Sequence, residues 1–317
     1  MKLLLVCSGG GHLKQLSELV DRLPFPHDDR TWVTFDTGLS RSLLKDEDVV
    51  YATYAAPRDV PNIARNAILA VRMLRPNRWS AVVSTGSSLA VDFLPLAALR
   101  GIPSYFIETA ARASGPSMTG RILARSPRVA TYTQYAAWAD RRWRYAGSIF
   151  DGFTSADPVP PTPIRRAVVS VGTTESYGFR RMLEALADSL RDVDTLWQTG
   201  ATDVSGLNIP ARATVPHGEL LEAVAAADVI VCHAGTGAAL TALEAGRCPV
   251  LVPRLRRHGE HVDDHQVQIA AELSGRGLAV VAAPDELSPE VLEEAARRRI
   301  GRLERPPALE LGRQPSS

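Results

Sequence analysis

The stretch His233-Ala-Gly-Thr-Gly-Ala-Ala-Leu-Thr-Ala-Leu-Glu244-Ala-Gly-Arg-Cys-Pro249 follows an apolar, β-branched run from Asp228 to Cys232. That run reads as a buried parallel strand. It ends at a histidine, crosses a glycine turn and enters a helix carrying one acidic residue, Glu244. Such a turn sets free backbone N–H groups beside a helix amino terminus worth roughly half a positive charge, an arrangement suited to a diphosphate. Glu244 lies far enough along to accept hydrogen bonds from ribose hydroxyls, as acidic residues do in dinucleotide sites. The plainer alternative is a tight strand-to-helix turn whose glycines serve packing alone.

Outward from this segment, strand-like runs alternate with helical periodicity from end to end, the pattern of a parallel α/β protein. Strands are expected near 2–7, 31–35, 48–53, 80–84, 103–107 and 128–132, with helices at 12–22, 60–75 and 88–100. Asp151 to Pro163 then holds four prolines in thirteen residues, which reads as a stiff extended connector. The alternation resumes with strands near 167–171, 194–198, 228–232, 249–252 and 278–281, and helices at 178–190, 217–226, 236–246, 262–274 and 288–302. The expected organisation is a domain over 1–150, a linker over 151–165, a second domain over 166–305 and a flexible tail over 306–317. Two doubly wound domains of this kind place ligands beyond the carboxyl ends of their strands, facing a cleft.

The 317 residues leave room for two domains of roughly 150 each. A net charge of +1 gives no global electrostatic case for nucleic acid. Cys7, Cys232 and Cys248 are widely spaced and lack metal-ligand spacing, so reduced core cysteines and a cytosolic compartment are expected. Met1-Lys2 leads straight into Leu3–Cys7, too short a run for a signal peptide or a span, and no later stretch approaches ~20 uninterrupted apolar residues. A soluble or peripheral protein follows. Pro61 to Arg78 interleaves Ile63, Ala67, Ile68, Val71 and Leu74 with Arg65, Arg72, Arg75 and Arg78. That basic amphipathic pattern suits either packing on its own sheet or a membrane surface.

Four further constellations carry chemistry. In Ser8-Gly-Gly-Gly-His12-Leu-Lys14, Lys14 stands where a dinucleotide fingerprint needs its third glycine, although Asp36 ends the second strand as an NAD site requires. His12 opens the first helix, where an imidazole either exchanges a proton near neutral pH or caps the loop. Ser170-Val-Gly172-Thr173-Thr174-Glu175 offers hydroxyls and amides to phosphate but lacks the Gly-Lys-Ser/Thr of a P-loop. Val252 to Gln266 holds three histidines among acidic residues. His261 and His265 share a face, but the spacing departs from the helical zinc pair with its glutamate, and no metal is assigned. The rival reading is a polar loop that reads sugar hydroxyls, with Arg254 or Arg257 meeting anionic groups. Glu108, at a strand's carboxyl end, is placed to act as a base, to bind a hydroxylated acceptor, or simply to pair with Arg112.

Together these residues resemble a known group. Val-Gly172-Thr-Thr, His233-Ala-Gly-Thr-Gly, Leu-Glu244-Ala-Gly, Val-Pro-Arg254 and Gly-Glu-His-Val-Asp-Asp-His-Gln266 resemble the PssE-type donor subunits of bacterial exopolysaccharide glycosyltransferases. They are also similar to the catalytic subunit that adds the second GlcNAc to dolichol diphosphate. Gly-Gly-Gly-His12, Ser84-Thr-Gly86, Phe-Ile-Glu108-Thr and Tyr-Ala-Gly-Ser148 resemble the partner PssD-type subunit, here fused in front. MurG is a more distant single-chain relative. The amino-terminal membrane anchor usual in the dolichol-pathway partner has no counterpart in this sequence.

The resemblance implies a GT-B fold and an inverting, metal-independent transfer of a sugar from a UDP-sugar to an acceptor hydroxyl, with no cofactor. The acceptor it implies is a saccharide, polyprenyl-linked or soluble. In the family's pattern His233, Gly235, Thr236 and Gly237 hold the diphosphate, Glu244 the ribose, and the backbone at Val215, Pro216 and His217 the uracil. His265 and Gln266 contact the sugar, and Gly172 and Thr173 close over the phosphates. Gly10, Gly11, Gly86 and Arg112 line the acceptor side, and His12 or Glu108 is the base. A UDP-sugar epimerase or hydrolase, or a non-catalytic sugar-nucleotide sensor, are the alternatives on the same architecture.

Overall fold

Five of the six residues of β1 (Lys2–Cys7) are buried, as expected for a strand covered on both faces. The computed structural model describes residues 2–26, 28–55, 59–172 and 177–312. They divide into two compact units: Met1–Asp151 with the segment from Pro307 onward, and Gly152–Pro306.

In the first unit β1 is followed by α1 (Gly11–Leu19), β2 (Arg30–Phe35), α2 (Gly38–Leu43), β3 (Val49–Ala52), α3 (Val60–Met73), β4 (Trp79–Gly86), α4 (Ser88–Leu99), β5 (Ser104–Ile107), α5 (Met118–Leu123), β6 (Val129–Thr133) and β7 (Trp143–Tyr145). Among the described residues these make one seven-stranded sheet in the order β3-β2-β1-β4-β5-β6-β7, parallel throughout. The order reverses between β1 and β4. The loops leaving those two strands therefore diverge, and the crevice between them is where an open α/β sheet takes its ligand.

The second unit runs β8 (Phe153–Ala156), β9 (Arg166–Ser170), α6 (Arg180–Ala187), β10 (Asp194–Gln198), β11 (Ala211–Arg212), α7 (His217–Ala226), β12 (Val229–His233), α8 (Thr236–Glu244), β13 (Val250–Val252), α9 (His265–Gly275), β14 (Val280–Val281), α10 (Pro289–Arg297) and β15 (Arg299–Arg302). Its main sheet is ordered β11-β10-β9-β12-β13-β14, again parallel. Here the reversal falls between β9 and β12. Each unit is a doubly wound, Rossmann-like layer structure, as the alternation of patterns predicts.

Three boundaries depart from the sequence reading. The expected helix over 288–302 stops at Arg297, and Arg299–Arg302 pairs antiparallel with Phe153–Ala156. The proline-rich connector over 151–165 thus opens with a strand, and its remainder lies on the second unit, where Val159 N–H donates to Arg297 O at 2.8 Å. The tail expected to be flexible over 306–317 is fixed along 307–312 to the first unit. Arg22 Nε donates to Pro307 O (2.8 Å) and Leu309 N–H to Arg22 O (2.8 Å), while Leu309 and Leu311 are buried. Residues 313–317 lie outside the described residues. The short elements α2, α5, β7 and β11 carry too few residues for a periodic signal. α2 exists through its capping box, in which Thr37 and Ser40 satisfy each other's backbone N–H groups.

Candidate functional site

In the second unit the turn after β12 faces the turn after β9. The His233 ring stands between them, because neither turn carries a side chain there. A Cβ on Gly172 (φ +80°) would lie 2.7 Å from His233 Cε1, and one on Gly235 would overlap His233 Nε2. Burial, then the positive charge of Arg254, lowers the His233 pKa to about 4. The ring is therefore uncharged at neutral pH. It works as a spacer between two glycine turns, and main-chain amides are left to meet an anion.

Those amides belong to α8. Its N-cap is Gly235, no side chain caps it, and no acidic residue occupies its first turn. The first intrahelical bond of this turn runs from Ala239 N to Gly235 O (3.0 Å), so the preceding N–H groups have no helical acceptor. Beside them Thr236 is 5% exposed and its Oγ1 is buried without a hydrogen-bond partner. A buried hydroxyl left unsatisfied at an uncapped helix start calls for a ligand acceptor.

Glu244 is the last residue of α8, so about eight residues of helix, on the order of 12 Å, separate it from Thr236. Pro216 is the N-cap of α7 and His217 its first residue, both exposed after β11. His265 begins α9. Gln266 is buried, and its Oε1 accepts from Arg254 N at 3.1 Å, so its carbonyl anchors the 254 turn. Thr173, expected over the phosphates, lies outside the described residues.

Arg254 corrects an expectation. Instead of meeting an anionic ligand it is buried, and its guanidinium donates to main-chain carbonyls. Arg256 and Arg257 remain exposed. No metal is expected from the sequence, yet His261, Asp263 and His265 bring ligand atoms within 4.8 Å of one another. Asp263 Oδ1 lies 3.1 Å from His261 Nδ1 and also contacts His265 Nδ1. Two imidazoles and a carboxylate have the chemistry to hold a zinc-class ion.

In the first unit His12 opens α1, and the loops after β1 and β4 meet at its ring. Its Nδ1 lies 2.9 Å from Thr85 O, while Thr85 Oγ1 donates to His12 O at 2.9 Å. Gly86 (φ +136°) permits this, since a Cβ there would stand 2.6 Å from His12 Cε1. Burial lowers the His12 pKa, opposed by the Thr85 carbonyl. Gly10 and Gly11 form the exposed, uncapped start of α1. Asp36 is held by Arg41 through two hydrogen bonds of 2.6 and 2.7 Å, which removes the one feature that favoured NAD.

Glu108 is 1% exposed. Its Oε2 accepts from Ser117 N (2.9 Å) and Ser117 Oγ (3.0 Å), and its Oε1 from Thr109 N (3.1 Å). Burial raises its pKa while the Ser117 hydrogen bonds oppose the rise. Gly120 makes room, because a Cβ there would overlap Oε2. Around it Gln15 Oε1 accepts from Ala110 N (2.8 Å) and Gln134 Nε2 donates to Glu108 O (3.0 Å). Buried glutamines give no sequence signal, and this network, which ties the end of β5 to α1, was not foreseen. Both oxygens of Glu108 are committed to holding the 109–117 loop, and Trp138 Nε1 donates to Arg112 O (3.1 Å) at the same loop. Glu108→Gln is accordingly expected to lower folding stability by about 1–3 kcal/mol, read by denaturant unfolding. A base role would instead predict lost turnover at unchanged stability.

Known proteins resemble this chain in sequence and in fold. Residues 168–305 match the glycosyltransferase family 28 C-terminal domain. The UDP-N-acetylglucosamine--N-acetylmuramyl-(pentapeptide) pyrophosphoryl-undecaprenol N-acetylglucosamine transferase of Nitratidesulfovibrio vulgaris is 30% identical over 230 residues, 65% of this chain and 60% of that protein. The chain thus spans about 60% of that relative's length. The transferase of the same name from Syntrophotalea carbinolica is 24% identical over 92% of this chain and 88% of its own. Among solved structures, Acinetobacter baumannii MurG superposes with a TM-score of 0.57 at 20% identity, covering 92% of this chain and 88% of that one. SnogD from Streptomyces nogalater gives 0.56 at 20% identity, covering 93% and 91%. The chain has the GT-B fold. Within that fold the family 28 match runs from inside β9 to residue 305 of the second unit and takes in both glycine turns and α8.

Proposed function

We propose that this GT-B chain transfers a sugar from a UDP-sugar to an acceptor hydroxyl, with inversion and without a metal ion. The observation that carries the reading is the uncapped start of α8, with the unsatisfied Thr236 hydroxyl beside it and the His233 ring wedged between Gly172 and Gly235. As the bond to the donor's anomeric carbon breaks, negative charge grows on the departing UDP. Amides and a helix dipole already oriented toward it stabilise that charge with little reorganisation. The uracil then meets the backbone at Val215–His217, the ribose meets Glu244, and His265 and Gln266 lie at the sugar end.

In the first unit His12 is the base. With Nδ1 donating to Thr85 O, the lone pair sits on Nε2, ready for the acceptor's proton. Gly10, Gly11, Gly86 and Arg112 shape the acceptor's surroundings, while Glu108 holds their scaffold. The named relatives act on a pyrophosphoryl-undecaprenol acceptor, which supports a lipid-linked saccharide here; the motifs shared with PssD/PssE-type subunits are what support a fusion serving exopolysaccharide synthesis. No helix among the described residues is long and apolar enough to cross a membrane. A peripheral contact through α3 fits its exposed Val60, Ile68 and Val71 beside Arg65 and Arg72, although α3 also packs inward through Asn66, Ala70 and Met73.

The test is a thermal-shift screen of UDP-, GDP- and dTDP-sugars with and without EDTA. UDP-sugars alone should raise the melting temperature, by the equivalent of about 2.7 kcal/mol at a hundredfold excess over Kd, and EDTA should leave the shift intact. No shift with any UDP compound would overturn the reading, and a shift abolished by EDTA would return the diphosphate to a metal at His261, Asp263 and His265. Glu244→Ala should weaken UDP by about 1–3 kcal/mol; unchanged affinity would remove the ribose role.

A further inference from the structure

Arg254 is among the largest fully buried side chains of the protein, at 2% exposure. Its guanidinium gathers carbonyls from three separate places. Nη2 donates to Val171 O at 2.6 Å, one residue before Gly172. Nη1 donates to Tyr177 O at 2.9 Å and Gly178 O at 3.4 Å, at the far end of the same glycine loop. Nη1 also reaches Glu260 O at 3.0 Å, and the cation lies 5.3 Å from the centre of the Phe179 ring. The backbone of Arg254 is itself fixed by Gln266 Oε1.

A buried cation normally requires a carboxylate partner. Here the hydrogen-bond acceptors among the described residues are carbonyls. The carboxylate of Glu260 instead accepts from Leu255 N (2.9 Å) and Arg181 Nε (2.8 Å). The positive charge is felt at the neighbouring His233, whose protonation it opposes. A planar fork that binds both ends of one loop sets the spacing of those ends, which an ammonium on a flexible stem cannot do. The same charge, felt at His233, favours an anion over a cation beside that ring.

We infer that Arg254 is the positioning residue of the donor site, holding Val171 and Tyr177 so that Gly172 faces the start of α8 and a diphosphate is preferred to the bare nucleoside. This rests on the reading of that site as one for UDP. The expected signature is selective. A residue that only stabilised the fold would weaken UDP and uridine alike, whereas this one acts on the phosphates.

The experiment compares UDP and uridine by calorimetry on the full chain, for wild type, Arg254→Gln and Arg254→Lys, with His233 titrated by NMR. Arg254→Gln should lose UDP affinity at least tenfold relative to uridine and raise the His233 pKa. Arg254→Lys, which keeps the charge and loses the fork, should still lose several-fold in the same ratio, and it carries the test if the glutamine variant does not fold. A folded variant with the wild-type UDP-to-uridine ratio would overturn the inference. Failure of the wild type to bind UDP would instead overturn the functional reading on which it depends.

Discussion

Replacing His12 by alanine is expected to lower turnover about 100-fold or more while UDP affinity stays at its wild-type value. The expectation follows from how the ring is held. Thr85 O can only accept, so the proton of the neutral imidazole sits on Nδ1 and Nε2 is basic. The reciprocal bond from Thr85 Oγ1 to His12 O fixes the first turn of α1 against the end of β4, and Gly86 lets the ring lie flush there. Burial depresses the pKa below its usual value, so the basic form prevails at pH 7. The profile of kcat/KM should then be flat through neutrality and fall as the pH drops through that lowered pKa, because protonation removes the base. Steady-state kinetics with a UDP titration checks both statements. Turnover that survives in His12→Ala would place the base elsewhere, and equal losses of turnover and UDP affinity would make His12 structural.

Gly235→Ala should reduce UDP affinity at least tenfold, about 1.4 kcal/mol. Its φ is −87°, an ordinary value for alanine, so the backbone itself is not strained. The difficulty is the added methyl group, which overlaps His233 Nε2. The ring has little room to retreat, because the Gly172 backbone stands so close to it that a Cβ there would come within 2.7 Å of Cε1. Either the ring or the turn must move, and the turn carries the amides of α8. Calorimetry with UDP measures the loss. Adding His233→Ala to Gly235→Ala removes the clash, so the double variant should bind UDP more tightly than the two single losses added together predict. Strict additivity would show that the methyl group acts on something other than the ring. Gly275→Ala, at the end of α9 with open space around it, serves as the control and should leave UDP affinity unchanged.

Much of this site was legible before any tertiary contact. The strand, glycine turn and helix at 228–246 follow from a period change and from glycine, both local properties. The resemblance implies His233, Gly235 and Thr236 for the diphosphate and His12 or Glu108 for the base, and His12 and the 233–236 turn each follow a strand at the reversal point of their own sheet. Other residues have partners that no local pattern shows. Arg254 reads as a group for anions and Gln266 as a contact for the sugar, but Arg254 turns inward onto Val171 O and Tyr177 O, and Gln266 Oε1 accepts from Arg254 N. Glu108 reads as a candidate base because strand ends bear catalytic groups, yet the orientation of α5 delivers the Ser117 N–H and hydroxyl to it. His261 and His265 have the i, i+4 spacing of a helical pair but lack its glutamate, and because α9 begins only at His265 it is the bend before the helix that brings Asp263 to both.

The chain's covalent order therefore determined what depends on near neighbours: the alternation of strand and helix, the glycine turns, and the helix starts that leave amides uncapped. Those follow from backbone sterics and from periodic burial, which act over a few residues. Tertiary structure alone decided the contacts that join distant segments. Among them are the pairing of Phe153–Ala156 with Arg299–Arg302, the return of Leu309 and Leu311 to the first unit, the His233 ring caught between two turns, and the fork of Arg254. Each requires two surfaces far apart in sequence to meet, and the free energy that selects them comes from burial and from satisfying carbonyls and N–H groups that no local pattern records.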